Sequence, residues 1–275
     1  MSLSIKILEK SDREIKFIIG GVTPAFVNAI RRVLISEIPI MSFDEIVFLE
    51  NTSVLYDEII AHRIGLVPIK NDPNEILSIL ESDINEFSKR EAVFVLEEEA
   101  REGVKTIYSG DLKPRSTFGG EAINIEIANK KIPLVKLAEG QRLVLEAYAR
   151  YGLGKNHAKF QATIASYKYM PLIEINEKLC DLCGECVRAC PKNGLEIVEG
   201  KLQVRDRTLC SLCNACVEVC PQGAIKVKGL DDQFIFNIEN LGILSPADAF
   251  LIALKVIEKR LKLLEESLLE IGKKN

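Results

Sequence analysis

Eight cysteines stand in two runs of identical spacing, Cys180, Cys183, Cys186, Cys190 and Cys210, Cys213, Cys216, Cys220, and each run is closed by a proline, Pro191 or Pro221. They are all the cysteines of the chain. A cubane iron–sulfur cluster needs four thiolates around it, and three closely spaced cysteines can wrap one side while a distant one closes the other. The spacing therefore predicts two [4Fe–4S] clusters. It leaves open whether one of them exists as a [3Fe–4S] form. A structural zinc site would show one or two CxxC pairs rather than two triplets each followed by Cys-Pro, and a disulfide framework belongs to small secreted domains. Thiolate-ligated iron requires a reducing compartment, so a cytoplasmic location is expected.

The two runs are halves of a 30-residue internal repeat. Cys180-Asp181-Leu182-Cys183 aligns with Cys210-Ser211-Leu212-Cys213, Val187 with Val217, and Cys190-Pro191 with Cys220-Pro221. In the ferredoxin-type arrangement of such runs the fourth cysteine serves the other cluster. That arrangement implies a first cluster on Cys180, Cys183, Cys186 and Cys220, and a second on Cys210, Cys213, Cys216 and Cys190. Short apolar runs follow each Cys-Pro, Leu195 to Val198 and Ala224 to Val227. Glu199-Gly200 reads as a hairpin turn between Leu195–Val198 and Lys201–Val204. A ferredoxin-like α+β module is thus expected over residues 170–228, a small part of a longer chain.

The rest of the chain is α+β. Ser4 to Leu8 and Glu14 to Ile19 read as strands, followed by a helix that Thr23 caps, Pro24 opens and Pro39 ends. Phe26, Val27, Ile30, Val33, Leu34 and Ile38 line one broad side of it, interrupted by Asn28, Arg31 and Arg32. Residues 41–169 are strand-rich and irregular, with strands expected at Ile46 to Leu49, Ala92 to Leu96, Ile123 to Ile127 and Arg142 to Ala149. The acidic stretch Asn74 to Arg90 reads as a helix or mobile insertion. His62 and His157, the only histidines, have no cysteine or carboxylate at metal-ligand spacing and read as surface or hydrogen-bonding groups. At the C-terminus Ser245 and Pro246 open a second helix, along which Phe250, Leu254, Ile257, Leu261, Leu264, Leu268 and Ile271 recur in steps of four and three. That heptad seam suits a partner helix.

Several classes are excluded. A net charge of −4 and a pI near 5.5 do not suit a chain that binds nucleic acid by itself. No apolar run approaches the roughly 18 residues of a membrane span. Phosphate-binding loops, dinucleotide fingerprints, zinc-protease motifs and nucleophile motifs are absent, so no catalytic residue is expected.

Three segments resemble the family of archaeal DNA-directed RNA polymerase D subunits, counterparts of the N-terminal domain of the bacterial alpha subunit. They are residues 26–34 (FVNAIRRVL), 61–68 (AHRIGLVP) and 151–160 (YGLGKNHAKF), with 236–242 (FNIENLG) leading into the C-terminal helix. The resemblance implies a discontinuous dimerisation domain from residues 1–40 and 229–275, an inserted second domain over 41–169 facing the large catalytic subunits, and the iron–sulfur module over 170–228. It also implies a non-catalytic role in a nucleotidyltransferase complex. The partners would be a smaller homologous subunit, L, the small subunits N and P, and the large subunits, with nucleic acid met only through the complex. Phe26, Ile30, Arg31, Arg32, Leu34, Phe250, Leu254, Ile257, Leu261, Leu264 and Leu268 become candidate interface residues, and Arg31, Arg32, His62, Arg63, Lys155, His157 and Lys159 candidate subunit contacts. An electron-transfer subunit with a dicluster domain is the alternative, and it leaves the three segments and the heptad helix unexplained.

Overall fold

The computed structural model describes residues 2–81, 91–115 and 125–273. Its elements in chain order are β1 (Ser4–Lys10), β2 (Glu14–Gly20), α1 (Pro24–Ser36), β3 (Ile40–Asn51), α2 (Asp57–Gly65), α3 (Pro73–Glu81), β4 (Glu91–Glu99), β5 (Lys105–Tyr108) and β6 (Lys113–Pro114), then β7 (Pro133–Leu137), β8 (Arg142–Gly152), β9 (Thr163–Ile175), α4 (Glu185–Ala189), β10 (Leu195–Val198), β11 (Lys201–Val204), α5 (Ala215–Glu218), β12 (Ile225–Asn240) and α6 (Pro246–Lys273). The mixed α+β class expected from the sequence holds. The chain forms two compact units, one of Met1–Lys10, Ile15–Ala29 and Ser166–Asn237, the other of Ser11–Glu14, Ile30–Ala165 and Ile238–Asn275.

The first unit is built on a four-stranded sheet in the order β1-β2-β12-β9. β1 and β2 pair antiparallel from Ser4 opposite Gly20 to Lys10 opposite Ile15, with a bulge between Ile7 and Glu9. Aromatic rings knit the sheet: Phe17 stacks on Phe236 at 5.5 Å, Tyr167 meets Phe234 edge-on at 5.7 Å, and Tyr169 lies 5.1 Å from Phe234. Such pairs add about 0.5–1.5 kcal/mol each beyond the area they bury. β1 is an edge strand, and its Ile5 and Ile7 are exposed. β9 and β12 run unbroken past residues 170 and 228, where the sequence suggests that a module begins and ends. Gly229 looks like a break, yet it is the residue a straight strand needs here: a Cβ would lie 2.7 Å from the Cβ of Tyr169.

The second unit holds a sheet in the order β3-β8-β4-β6 and a separate β5-β7 pair. β8 is central and alternates buried and half-buried residues along its length, the period of two that a strand covered on one face requires. Phe43 and Phe94 meet edge-on at 5.1 Å in this core. Of the strands expected in this region, Ile46 to Leu49, Ala92 to Leu96 and Arg142 to Ala149 lie within β3, β4 and β8. The expected strand at 123–127 falls partly outside the described residues. Its end survives as a bridge between Ile127 and Ile69. The acidic stretch begins as α3, and its remainder, 82–90, also lies outside them.

Both helix starts are built as their sequences dictate. Thr23 Oγ1 accepts the N–H of Phe26 at 3.3 Å, with Pro24 in the first turn. Ser245 Oγ accepts the N–H of Asp248 at 3.1 Å, with Pro246 behind it. Val27, Ile30, Val33, Leu34 and Ile38 are buried. Ile30 and Leu34, expected at a subunit interface, are therefore committed to this chain's own core, because their spacing puts them on the same inward stripe as Val27 and Ile38.

Candidate functional site

The cysteine repeat folds as two matching loops in the first unit. Each begins with a side chain that turns the backbone: Asn176 Oδ1 accepts the N–H of Lys178 at 3.1 Å, and Asp206 Oδ1 that of Thr208 at 2.7 Å. Each then winds through left-handed residues at matching positions, Leu182 (φ 60°) and Leu212 (φ 59°), Gly184 (φ 78°) and Asn214 (φ 61°), Asn193 (φ 50°) and Gly223 (φ 60°). Leucine rarely adopts this conformation, so the backbone is strained at the same position of both halves of the repeat. Short helices α4 and α5 follow and carry Cys186 and Cys216.

Each run's last thiol accepts a backbone hydrogen bond from four residues on, Gly194 N–H to Cys190 Sγ and Ala224 N–H to Cys220 Sγ, both at 3.3 Å. The hairpin expected at Glu199-Gly200 is present, with Leu195 opposite Val204 and Val198 opposite Lys201. Its Leu195 and Leu202 pack with Ile173, Cys186 and Ile225 into a small core that Cys180, Cys210 and Cys216 flank.

The thiols gather into two groups of four. Burial pushes the Cys186 thiol above its ordinary value, and Cys180, Cys220 and Cys183 add to that rise. Burial likewise pushes Cys216 up to about 11, with contributions from Cys210, Cys190 and Cys213. Cys180, Cys183, Cys186 and Cys220 also line one cavity together. Each run thus lends its last cysteine to the other run's triplet, and all eight are free thiols. Among the described residues, no group of three or more His, Cys, Asp or Glu side chains closes tightly enough for a single metal ion. A tetrahedral zinc site would hold its sulfurs about 3.8 Å apart, from a Zn–S distance of roughly 2.3 Å. In a cubane each thiolate binds a different iron, and the sulfurs stand wider. The donor chemistry, the crossed grouping and the N–H···S bonds suit the latter.

The second constellation is helix α6, which carries two apolar faces. Ala249, Ile252, Ala253 and Val256 are buried in the second unit. This inward face is absent from the sequence reading, because its short alanines are masked by the larger residues beside them. The seam residues face elsewhere: Phe250, Leu254 and Ile257 are half-buried, while Leu261, Leu264 and Leu268 are 61, 57 and 59% exposed. Phe26 is also partly exposed, as is Arg32, and Arg31 is half-buried.

The remaining predicted contacts lie in the second unit. His62 and His157 line a surface cavity of about 200 Å³ with Asp44, Leu66 and Lys159. His157 Nδ1 accepts the N–H of Lys159 at 3.1 Å, and Lys159 Nζ donates to Asp44 at 2.6 Å, so both are engaged in local structure. Arg63 donates to the carbonyl of Leu134 at 2.8 Å, and the N–H of Lys155 to that of Ser36 at 2.9 Å.

Residues 16–261 match the model of the RNA polymerase Rpb3/Rpb11 dimerisation domain. The chain belongs to this family. It is similar to proteins named DNA-directed RNA polymerase subunit Rpo3. The Thermococcus kodakarensis protein is 38% identical over 94% of this chain and 95% of the relative, and that of Methanothermobacter thermautotrophicus 40% over 94% and 96%. The Archaeoglobus fulgidus protein is 39% identical over 97% and 99%. Among the described residues, no helix is long and apolar enough to cross a membrane.

Proposed function

We propose that this chain is a non-catalytic assembly subunit of a DNA-directed RNA polymerase. It pairs with the smaller homologous subunit L, and the heterodimer forms the platform on which subunits N and P and the large catalytic subunits gather for templated RNA synthesis. The observation that carries this reading is the row of exposed leucines on α6 in a chain of the Rpb3/Rpb11 dimerisation family. Apolar side chains repeated along a helix remain in water at a cost, and a partner helix removes it. Phosphoryl transfer belongs to the large subunits, so substitutions here act on assembly. Co-expression with subunit L tests the proposal: a stable one-to-one complex is expected, and a chain that stays monomeric beside folded L refutes it.

The same reading includes two [4Fe–4S] clusters in a ferredoxin-like module. Cys180, Cys183, Cys186 and Cys220 would hold one, and Cys210, Cys213, Cys216 and Cys190 the other. The crossed thiol groups and the paired strained leucines support it. When bound, the clusters supply cross-links that fix the loops, and electron-accepting capacity. The module over 170–228 contains no aromatic residue and little core of its own. Ligation would thus contribute folding free energy as well as a means of sensing oxidation. Iron and acid-labile sulfide measured on anaerobically purified complex should match two clusters per chain, and an iron-free, fully folded module would refute the assignment.

A further inference from the structure

We infer that the two cysteine sites, alike in ligands, are unlike in redox potential, and that the site of Cys210, Cys213, Cys216 and Cys190 accepts an electron before the site of Cys180, Cys183, Cys186 and Cys220. The inference rests on the cluster reading above. Cluster potentials follow net charge, hydrogen bonds to sulfur and solvent exposure, so two copies of one repeat can be compared position by position.

The first difference lies inside the repeat. Asp181 follows the first cysteine of one run, and its equivalent in the other is Ser211. The Asp181 carboxylate accepts the N–H of the ligand residue Cys183 at 3.1 Å and lines the same cavity as Cys180, Cys186 and Cys220. A fixed negative charge therefore stands beside the first site where the second has a neutral hydroxyl. The second difference comes from outside the repeat. Lys168, on β9, donates from Nζ to the carbonyls of Thr208 at 2.6 Å and of the ligand residue Cys210 at 2.9 Å. β9 occurs once, so this half-buried cation serves only the second site. Lys16 and Lys192 lie within electrostatic reach of it, as does Asp206, whose carboxylate is bonded to Thr208. Thirdly, the N–H of Leu212 donates to Cys210 Sγ at 3.4 Å. The Gly194 and Ala224 bonds are equivalent in the two halves and cancel.

Three matched pairs work the other way: Asp206 in the second run stands where the first has Asn176, Thr208 where it has Lys178, and Glu218 where it has Arg188. Glu218 acts on Cys213 from the second site. Glu218 and Arg188 are exposed, and Arg188 is paired with Glu185. Charges held in water are screened over roughly 8–10 Å at physiological ionic strength, whereas Lys168 is pinned beside its loop with less water between. Asp181 is exposed as well, but its carboxylate is held by the N–H of Cys183; Asp206 is held by Thr208 and offsets part of Lys168, so the net difference rests on Lys168 and Asp181 together. Reduction delivers one electron to the second site, with no bond made or broken and no proton transferred.

The test is a potentiometric titration with dithionite on the anaerobic, iron-replete complex of the full chain with its partner, followed by electron paramagnetic resonance. Two waves are expected in the native protein. Ser211→Asp and Lys168→Met should each lower the upper wave, Lys168→Arg should restore it, and Asp181→Ser should raise the lower one. Each shift should amount to about a tenfold change in the electron's partition, or about 59 mV for a one-electron couple. Two coincident waves in the native protein, or substitutions that move the opposite wave or none, overturn the inference while leaving the clusters standing. Iron and sulfide short of two clusters would instead overturn the cluster reading. Asp181 and Ser211 are exposed loop positions, so their variants keep the test decisive if Lys168→Met fails to fold.

Discussion

Replacing Leu264 and Leu268 together by alanine should weaken the complex with the partner subunit without weakening this chain. Both leucines are exposed in the isolated chain, at 57 and 59%, so about three-fifths of each remains to be buried by a partner. Complete burial of a leucine side chain is worth about 1.5–3 kcal/mol, which makes the remaining part about 1–2 kcal/mol each. Alanine keeps a fraction of that, and the double variant should lose about 2–3 kcal/mol, a rise in Kd of roughly 30- to 150-fold. Titration calorimetry or sedimentation of the two purified subunits measures it. Thermal unfolding of the variant alone should match the parent, because neither side chain is buried in it. Ile252→Ala on the inward face of the same helix is the contrast: Ile252 is 1% exposed, and its loss should cost the chain itself about 2–5 kcal/mol. An unchanged Kd for the leucine variant, or a variant that unfolds by itself, would refute the assignment of two faces to α6.

Other outcomes follow from packing and charge. Gly154→Ala should destabilise the second unit by about 1–3 kcal/mol, since the new Cβ would sit 2.4 Å from the backbone carbonyl oxygen of Ile35; an unaltered denaturation midpoint would contradict that. Phe236→Ala removes a fully buried ring stacked on Phe17 and should cost about 3–5 kcal/mol in a chemical denaturation series. Glu126, bonded to Lys70 and Lys130, should titrate at about 2 by carboxyl NMR rather than at 4.5, and Lys70→Ala should move its midpoint upward. Its pKa is depressed in the folded state. Its contribution to stability is therefore complete above pH 4.5 and fades as the pH falls toward 2, a small effect that added salt should shrink because the pair is exposed.

The local features legible in the sequence are those written by neighbouring residues. Thr23-Pro24 and Ser245-Pro246 open their helices as read, since a cap needs only a hydroxyl within three residues of an N–H. Glu199-Gly200 turns its hairpin for the same reason of short range. The 30-residue repeat, and with it the candidate ligands, is visible in the spacing of the cysteines alone. Gly229 shows where such reading stops: by sequence residue 229 opens the returning part of a domain, and in the fold it lies within β12 and lets that strand pass Tyr169, a residue sixty positions away.

By itself, then, the sequence determined the type and bounds of many elements, the eight thiols in their two runs, the strand-period core of β8 and the family resemblance that residues 16–261 uphold. These depend on composition, period and spacing, which act along the chain. Only the tertiary structure decided which face of α6 is spent inward and which leucines stay in water, why Ile30 and Leu34 belong to the core, and that Lys168 reaches one cysteine loop and not its twin. Those are questions of what lies opposite a side chain, and burial and electrostatics are set by neighbours in space.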